Sequence, residues 1–154
     1  MSNKLFHQGL FFIVLTAGFM LFIFHNSMFS IQQSDRQSGT VLKALNQLFA
    51  AMGYDVMLTQ YSVRKLAHFT EYFIFGMIMT IMFRVCSIDI KENFFFLLFL
   101  FLAIPVTDEY IQTFYPGRNS SALDIIIDFA GCAAGMGLCR LLFYVLDSDT
   151  KQKR

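Results

Sequence analysis

A chain of 154 residues and 17.8 kDa with 56% hydrophobic, 17% aromatic and only 15% charged residues is too apolar for a water-facing globule, since soluble domains carry about 25% charged residues. Its 20 phenylalanines and mean hydropathy of +0.54 leave too little polar side chain to cover such a surface, and the same composition excludes a disordered chain. With 12 basic against 11 acidic residues the net charge is +1, which removes counterion release as a driving force and makes nucleic acid a poor partner.

Four apolar runs stand out against the roughly 20 residues that cross a hydrocarbon core about 30 Å thick. The first runs from Gly9 to about Phe24 and follows Lys4 in the manner of a signal peptide. No small-x-small cleavage site follows in HNSMFSIQQSD, which predicts an uncleaved anchor. Ser34 to Gly39 then reads as a polar linker by composition. Val41, Leu42, Leu45, Leu48, Phe49 and Met52 recur at helical spacing with Gly53 as a stop, which predicts an amphipathic helix on the membrane surface. The second run, Leu66 to Val85, carries His68 and Glu71 near its start.

The third run, Phe94 to Val106, has thirteen residues and covers only about 20 Å. It has to continue through polar residues to Phe114 or Tyr115, which takes Asp108 and Glu109 into the membrane beyond a kink at Pro105. The fourth, Ala122 to Leu146, holds Asp124 and Asp128 in its first two turns, then Gly131 and Gly135. The expectation is one all-α domain over 1–154, a polytopic four-helix transmembrane bundle with spans near 9–26, 66–85, 94–115 and 122–146 and an interfacial amphipathic helix between the first two. Cys86, Cys132 and Cys139 lie in or beside apolar runs and read as small apolar filler, so neither a metal nor a cofactor is expected.

Up-and-down threading brings the start of the second helix, the end of the third and the start of the fourth to one side of the bilayer. The unusual polar residues all fall there: Arg64, Lys65, His68, Glu71 and Tyr72, then Asp108, Glu109 and Gln112, then Arg118, Ser121, Asp124 and Asp128. Lys65, His68 and Tyr72 form one helical stripe, and Asp124, Asp128, Gly131 and Gly135 share a face whose glycines let another backbone approach, so the acids point into the bundle. Five carboxylates (Glu71, Asp108, Glu109, Asp124, Asp128) face three fixed cations (Arg64, Lys65, Arg118). A charge at membrane depth costs at least about 2.5 to 3.5 kcal/mol, so the excess acids have to be protonated, hydrated or bound to an ion.

The segments RKLAHFTEYFIFG (Arg64 to Gly76) and TDEYIQTFYPGRNSSALDIIIDFAGCAAG (Thr107 to Gly135) resemble the VanZ-like membrane proteins. That family's pattern K-x-x-H, D-E-x-x-Q, P-G-R, S-x-x-D-x-x-x-N-x-x-G-x-x-x-G is met by Lys65, His68, Asp108, Glu109, Gln112, Pro116, Gly117, Arg118, Ser121, Asp124, Gly131 and Gly135. The pattern's asparagine is replaced by Asp128, which adds a negative charge. The resemblance implies a bacterial inner-membrane protein whose namesake lowers susceptibility to the lipoglycopeptide teicoplanin. It does not bring a reaction with it.

Three readings of the cluster stand side by side. It can be a pocket in which Lys65 and Arg118 hold an anionic group such as a lipid phosphate or a lipid-linked envelope headgroup, with Glu71, Asp108 and Asp124 orienting them. It can be a membrane-embedded enzyme with His68 as acid or base, Glu71 and Asp108 as further candidates, and Ser121 or water as nucleophile. It can also be a polar network that only sets helix register. With the N-terminus cytoplasmic, six basic residues (Lys4, Arg84, Lys91, Lys151, Lys153, Arg154) lie inside against five outside (Arg36, Lys43, Arg64, Lys65, Arg118). If Lys65 and Arg118 are occupied by site acids, the ratio becomes six to three, which favours an outward-facing cluster.

Overall fold

The computed structural model describes residues 3–55 and 57–152, with side chains from 6 to 149 apart from residue 56. Of the flanking cations named above, Lys153 and Arg154 lie outside the described residues, and Lys4 and Lys151 are described in backbone alone. Five helices follow in order: α1 (Asn3–Ser27), α2 (Ile31–Ala51), α3 (Gln60–Val85), α4 (Phe94–Gln112) and α5 (Ala122–Gln152). Four of them, α1, α3, α4 and α5, are long and apolar enough to cross a membrane. Among the described residues there is no strand.

Local chemistry explains most of the boundaries. Ser30 caps α2 through a capping box: its hydroxyl accepts from Gln33 N at 3.4 Å while the Gln33 side chain accepts from Ser30 N at 2.9 Å. The helix therefore begins at Ile31, and the Ser34 to Gly39 stretch is helical rather than a linker. Helix α2 ends where expected, because Gly53 takes φ of +79°, a conformation that costs glycine nothing. Thr59 caps α3 by accepting from Ser62 N at 3.2 Å. Helix α4 stops at Gln112, two to three residues short of the sequence expectation, and Phe114 and Tyr115 belong to the turn that follows. Pro105 is buried within α4, one turn before Asp108 and Glu109.

The core lies between α1, α3, α4 and α5, built from Ile23, Tyr72, Phe75, Met79, Phe83, Leu97 and Phe101. The outward faces are apolar as well, with Phe11, Val14, Phe22, Phe95, Phe99 and Leu141 all exposed, as expected where hydrocarbon replaces water as the solvent. Helix α2 differs in having no fully buried residue, and it packs against α3.

The most extensive packing in the molecule is between α3 and α5, and small residues permit it. A Cβ placed on Gly131 would stand 2.6 Å from Phe69 O, and on Gly135 or Gly76 it would strike the backbone of Phe73 or Cys132. These backbones touch because no side chain separates them. Gly18 and Gly137, by contrast, face open space. Gly131→Ala and Gly135→Ala are therefore expected to destabilise the chain by about 1–3 kcal/mol through overpacking. Gly18→Ala and Gly137→Ala should be neutral or gain up to about 1 kcal/mol from helix propensity. Thermal unfolding in detergent separates the two pairs, and equal losses at all four positions would show that the close approach is not what holds α3 to α5.

Candidate functional site

The polar residues singled out in the sequence come together at one end of the bundle, where α3 and α5 begin and α4 and α1 end. The α3–α5 register carries two of the contacts. Lys65, in the first turns of α3, forms an ion pair with Asp124 in the first turn of α5, the side chains being 21% and 15% exposed. One turn deeper His68 faces Asp128, with Nδ1 3.8 Å from Oδ1, too far for a hydrogen bond. His68 is partly buried and Asp128 is fully buried.

Helix α4 supplies the floor. Asp108, fully buried, accepts from Ser27 Oγ and, at 3.2 Å, from Gln112 Nε2 one turn along the same helix. The Tyr72 hydroxyl, also fully buried, lies beside Asp108 without a well-formed hydrogen bond. Glu109, 1% exposed, accepts from Ser121 N at 2.8 Å and so caps the positive end of α5 with a carboxylate. Ser121 Oγ accepts from Leu123 N at 3.2 Å, and among the described residues no hydrogen bond joins it to His68.

Two residues absent from the sequence reading enter from α1. Asn26 Nδ2 donates to Glu71 Oε1 at 2.9 Å, and Ser27 donates to Asp108. The available signal was the polar pair closing the first apolar run, which the sequence presents only as a failed cleavage site. Helix α2 also contributes, because Asp35 takes Arg64 in an ion pair of 3.2 Å and Ser38 accepts from Gln60 Nε2. Glu71, three residues after His68, is thus engaged by Asn26, while the partner facing His68 is Asp128.

Arg118 is different from the other cations. Of the two cations considered above as occupied by site acids, Lys65 is paired but Arg118 makes no ion pair among the described residues, and its buried Nε has no hydrogen-bond partner. Burial, and after it the neighbouring Arg64, pull its pKa below the ordinary arginine value, while Asp108, Glu109 and Glu71 pull the other way. The group stays charged throughout the physiological range. It stands between two cavities. One, of about 540 Å³, opens between α2 and α3, with Val41, Leu45, Val63 and Leu66 on its walls and His68 and Glu71 beside Arg118. The other, of about 280 Å³, is lined by Lys65, Gln112, Ser121 and Asp124 as well as Arg118 and His68. At the far end of the bundle Arg84 pairs with Asp147 at 2.6 Å, away from this cluster.

The fold and site thus define a polytopic helical membrane protein with its buried ionisable residues gathered at one end of the bundle. A model of the VanZ/LLP1 family matches residues 12–143, and the chain belongs to that family. No curated protein and no solved structure matches it.

The Lys65–Asp124 pair ties α3 to α5 at the cluster end of the bundle, so its two members should be energetically coupled. Lys65→Met leaves Asp124 without its cation and should destabilise the chain more than the Lys65→Met/Asp124→Asn double variant does. A double-mutant cycle on thermal unfolding in detergent should give a coupling of about 0.5–3 kcal/mol, whereas additive effects would mean that the pair does not hold the helices together.

Proposed function

We propose that the protein binds an anionic amphiphile of the cell envelope, a lipid or a lipid-linked headgroup, in the cavities on either side of Arg118. The observation that carries this reading is the unpaired guanidinium. Lys65 and Arg64 are each taken by an aspartate, and Arg118 is left as the forked donor able to receive a phosphate or carboxylate in two parallel hydrogen bonds. The cavity between α2 and α3 is apolar along Val41, Leu45 and Leu66 and polar at Arg118, His68 and Glu71, which suits a ligand with a greasy tail and a charged head. Lys65, Gln112, Ser121 and Asp124 line the smaller cavity, where they would contact the headgroup, and Glu109 and Asp108 would keep Arg118 charged and oriented.

In this reading the chain resides in a bacterial inner membrane with both termini cytoplasmic and the cluster outward, where envelope precursors and lipoglycopeptides are found. An effect on teicoplanin susceptibility would follow from occupancy of this site.

Lipid that copurifies with the protein, identified by mass spectrometry, is the first test. Arg118→Lys keeps the charge and loses the fork, and should reduce occupancy by about tenfold or more at unchanged protein abundance, with susceptibility moving in step. His68→Gln should reduce occupancy less. If Arg118→Lys carries as much lipid as the native chain while His68→Gln abolishes the cellular effect, an acid–base role for His68 replaces the binding reading. Sidedness is checked separately: Asn119→Cys, in the exposed loop beside Arg118, should react with a membrane-impermeant maleimide on intact cells, and labelling only after permeabilisation would reverse the topology.

A further inference from the structure

The α3–α4–α5 junction holds a second feature, centred on Asp128, a residue to which the anion-binding reading gives no role. His68, Asp108 and Asp128 each offer one ligand atom, and the three atoms lie within 4.8 Å of one another. They come from three different helices. Asp128 is fully buried, yet neither of its oxygens has a hydrogen-bond partner, and His68 Nδ1 and the Tyr72 hydroxyl are likewise buried without one. Buried polar atoms are almost always satisfied, so several orphans converging on one point call for an occupant.

Protonation of Asp128 does not remove the problem. The new hydroxyl would need an acceptor, and His68 Nδ1, at 3.8 Å from Oδ1, is out of hydrogen-bond range. That distance leaves room for an ion between them, because nitrogen and oxygen ligands at about 2.0–2.2 Å from a common metal stand about 3–4 Å apart. Asp108 is also held as a ligand carboxylate is usually held, by outer hydrogen bonds from Ser27 and Gln112 that fix its orientation. Charge points the same way: with Arg64 taken by Asp35 and Lys65 by Asp124, Arg118 has Glu71, Asp108 and Glu109 around it, and Asp128 adds a fourth carboxylate beside those three.

We propose that His68 Nδ1, Asp108 and Asp128 bind a divalent first-row transition-metal ion, Mn²⁺ or Zn²⁺, at the junction of α3, α4 and α5. The imidazole disfavours Mg²⁺ and Ca²⁺, and two carboxylates with no thiolate in the set disfavour Cu⁺. Two aspartates cancel the ion's charge, which makes the site neutral at a depth where an uncompensated charge is costly. The ion does not depend on the lipid reading, and its test uses delipidated protein.

Purified full-length protein in detergent is stripped with chelator, re-equilibrated with Mn²⁺, Zn²⁺ or Mg²⁺, and desalted. Metal per chain is then measured by mass spectrometry, and Mn²⁺ binding by loss of the free-ion electron paramagnetic resonance signal. The native chain should retain about one Mn²⁺ or Zn²⁺ and melt at a higher temperature with the ion than without it. Asp128→Asn, close to isosteric, and His68→Gln should each weaken retention by tenfold or more. Asp147→Asn, at the other end of the bundle, should retain the ion. Because Asp128→Asn removes a buried charge without changing shape, its melting temperature in chelator should equal or exceed that of the native chain, which separates loss of a ligand from loss of fold. The proposal is overturned if the native chain retains no ion at millimolar Mn²⁺ or Zn²⁺, if Mg²⁺ is retained as well as they are, or if the Asp128 and His68 variants retain as much as the native chain.

Discussion

Everything distinctive about this protein rests on the close approach of α3 and α5. Gly76, Gly131 and Gly135 bring the two backbones into contact, and that contact sets which side chains meet farther up the same two helices. In lipid there is no hydrophobic drive to bring helices together, so van der Waals contact between backbones has to supply much of the attraction. Once the register is set at the glycines, helical geometry carries it outward: Lys65 meets Asp124 and His68 meets Asp128, one turn apart on each helix. A larger residue at any of the three glycines would move both pairs together.

The second constraint is electrostatic. The first turns of α3 contain two cations and no acid, an arrangement disfavoured at the positive end of a helix. The acids that compensate come from other elements, Asp35 from α2 and Asp124 from α5. At the start of α5 the arrangement is the favourable one, with Asp124 in its first turn and Glu109 accepting from Ser121 N. Part of the acid excess is thereby offset by helix termini, and Glu71 and Asp108 are offset by donors from α1 and α4. Asp128 is the exception: it has neither a helix end nor a donor, only the His68 ring across a gap.

Much of this was legible in the chain because membrane depth penalises polar residues so strongly. An apolar run broken by His68, Glu71, Asp108 or Asp128 is conspicuous, and up-and-down threading is enough to bring such breaks to one end. The glycine face of α5 was legible for the same reason, since period and residue size together indicate close packing. What escaped notice was polar chemistry in places where it is cheap. Asn26 and Ser27 sit at the end of an apolar run, where polar residues are ordinary, and only the folded chain shows them donating to Glu71 and Asp108. The Ser34 to Gly39 stretch has a linker's composition, and its helicity depends on the Ser30–Gln33 capping box and on packing against α3. Which cation would be left unpaired could not be read at all, because Arg64, Lys65 and Arg118 are equivalent as charges until Asp35 and Asp124 are placed in space.

Helix α2 explains how a buried polar cluster can also be reached. The other four helices each bury side chains or glycines in the bundle, whereas α2 has no fully buried residue and is tied down at its edges. Its attachments are polar: Asp35 to Arg64, Ser38 to Gln60, Asn46 to the backbone of Leu58, and Ile31 N to Pro116 O at 3.2 Å. Partly exposed ties of this kind contribute little each, and a segment with few buried apolar contacts is the one that opens at least cost. The larger cavity lies against this weakly held wall, while Asp108 and Asp128 are anchored on helices that pack into the core. A rigid floor and a loosely attached side wall would suit the amphiphile proposed above, since the charged groups would stay in place while the apolar side made room for a chain.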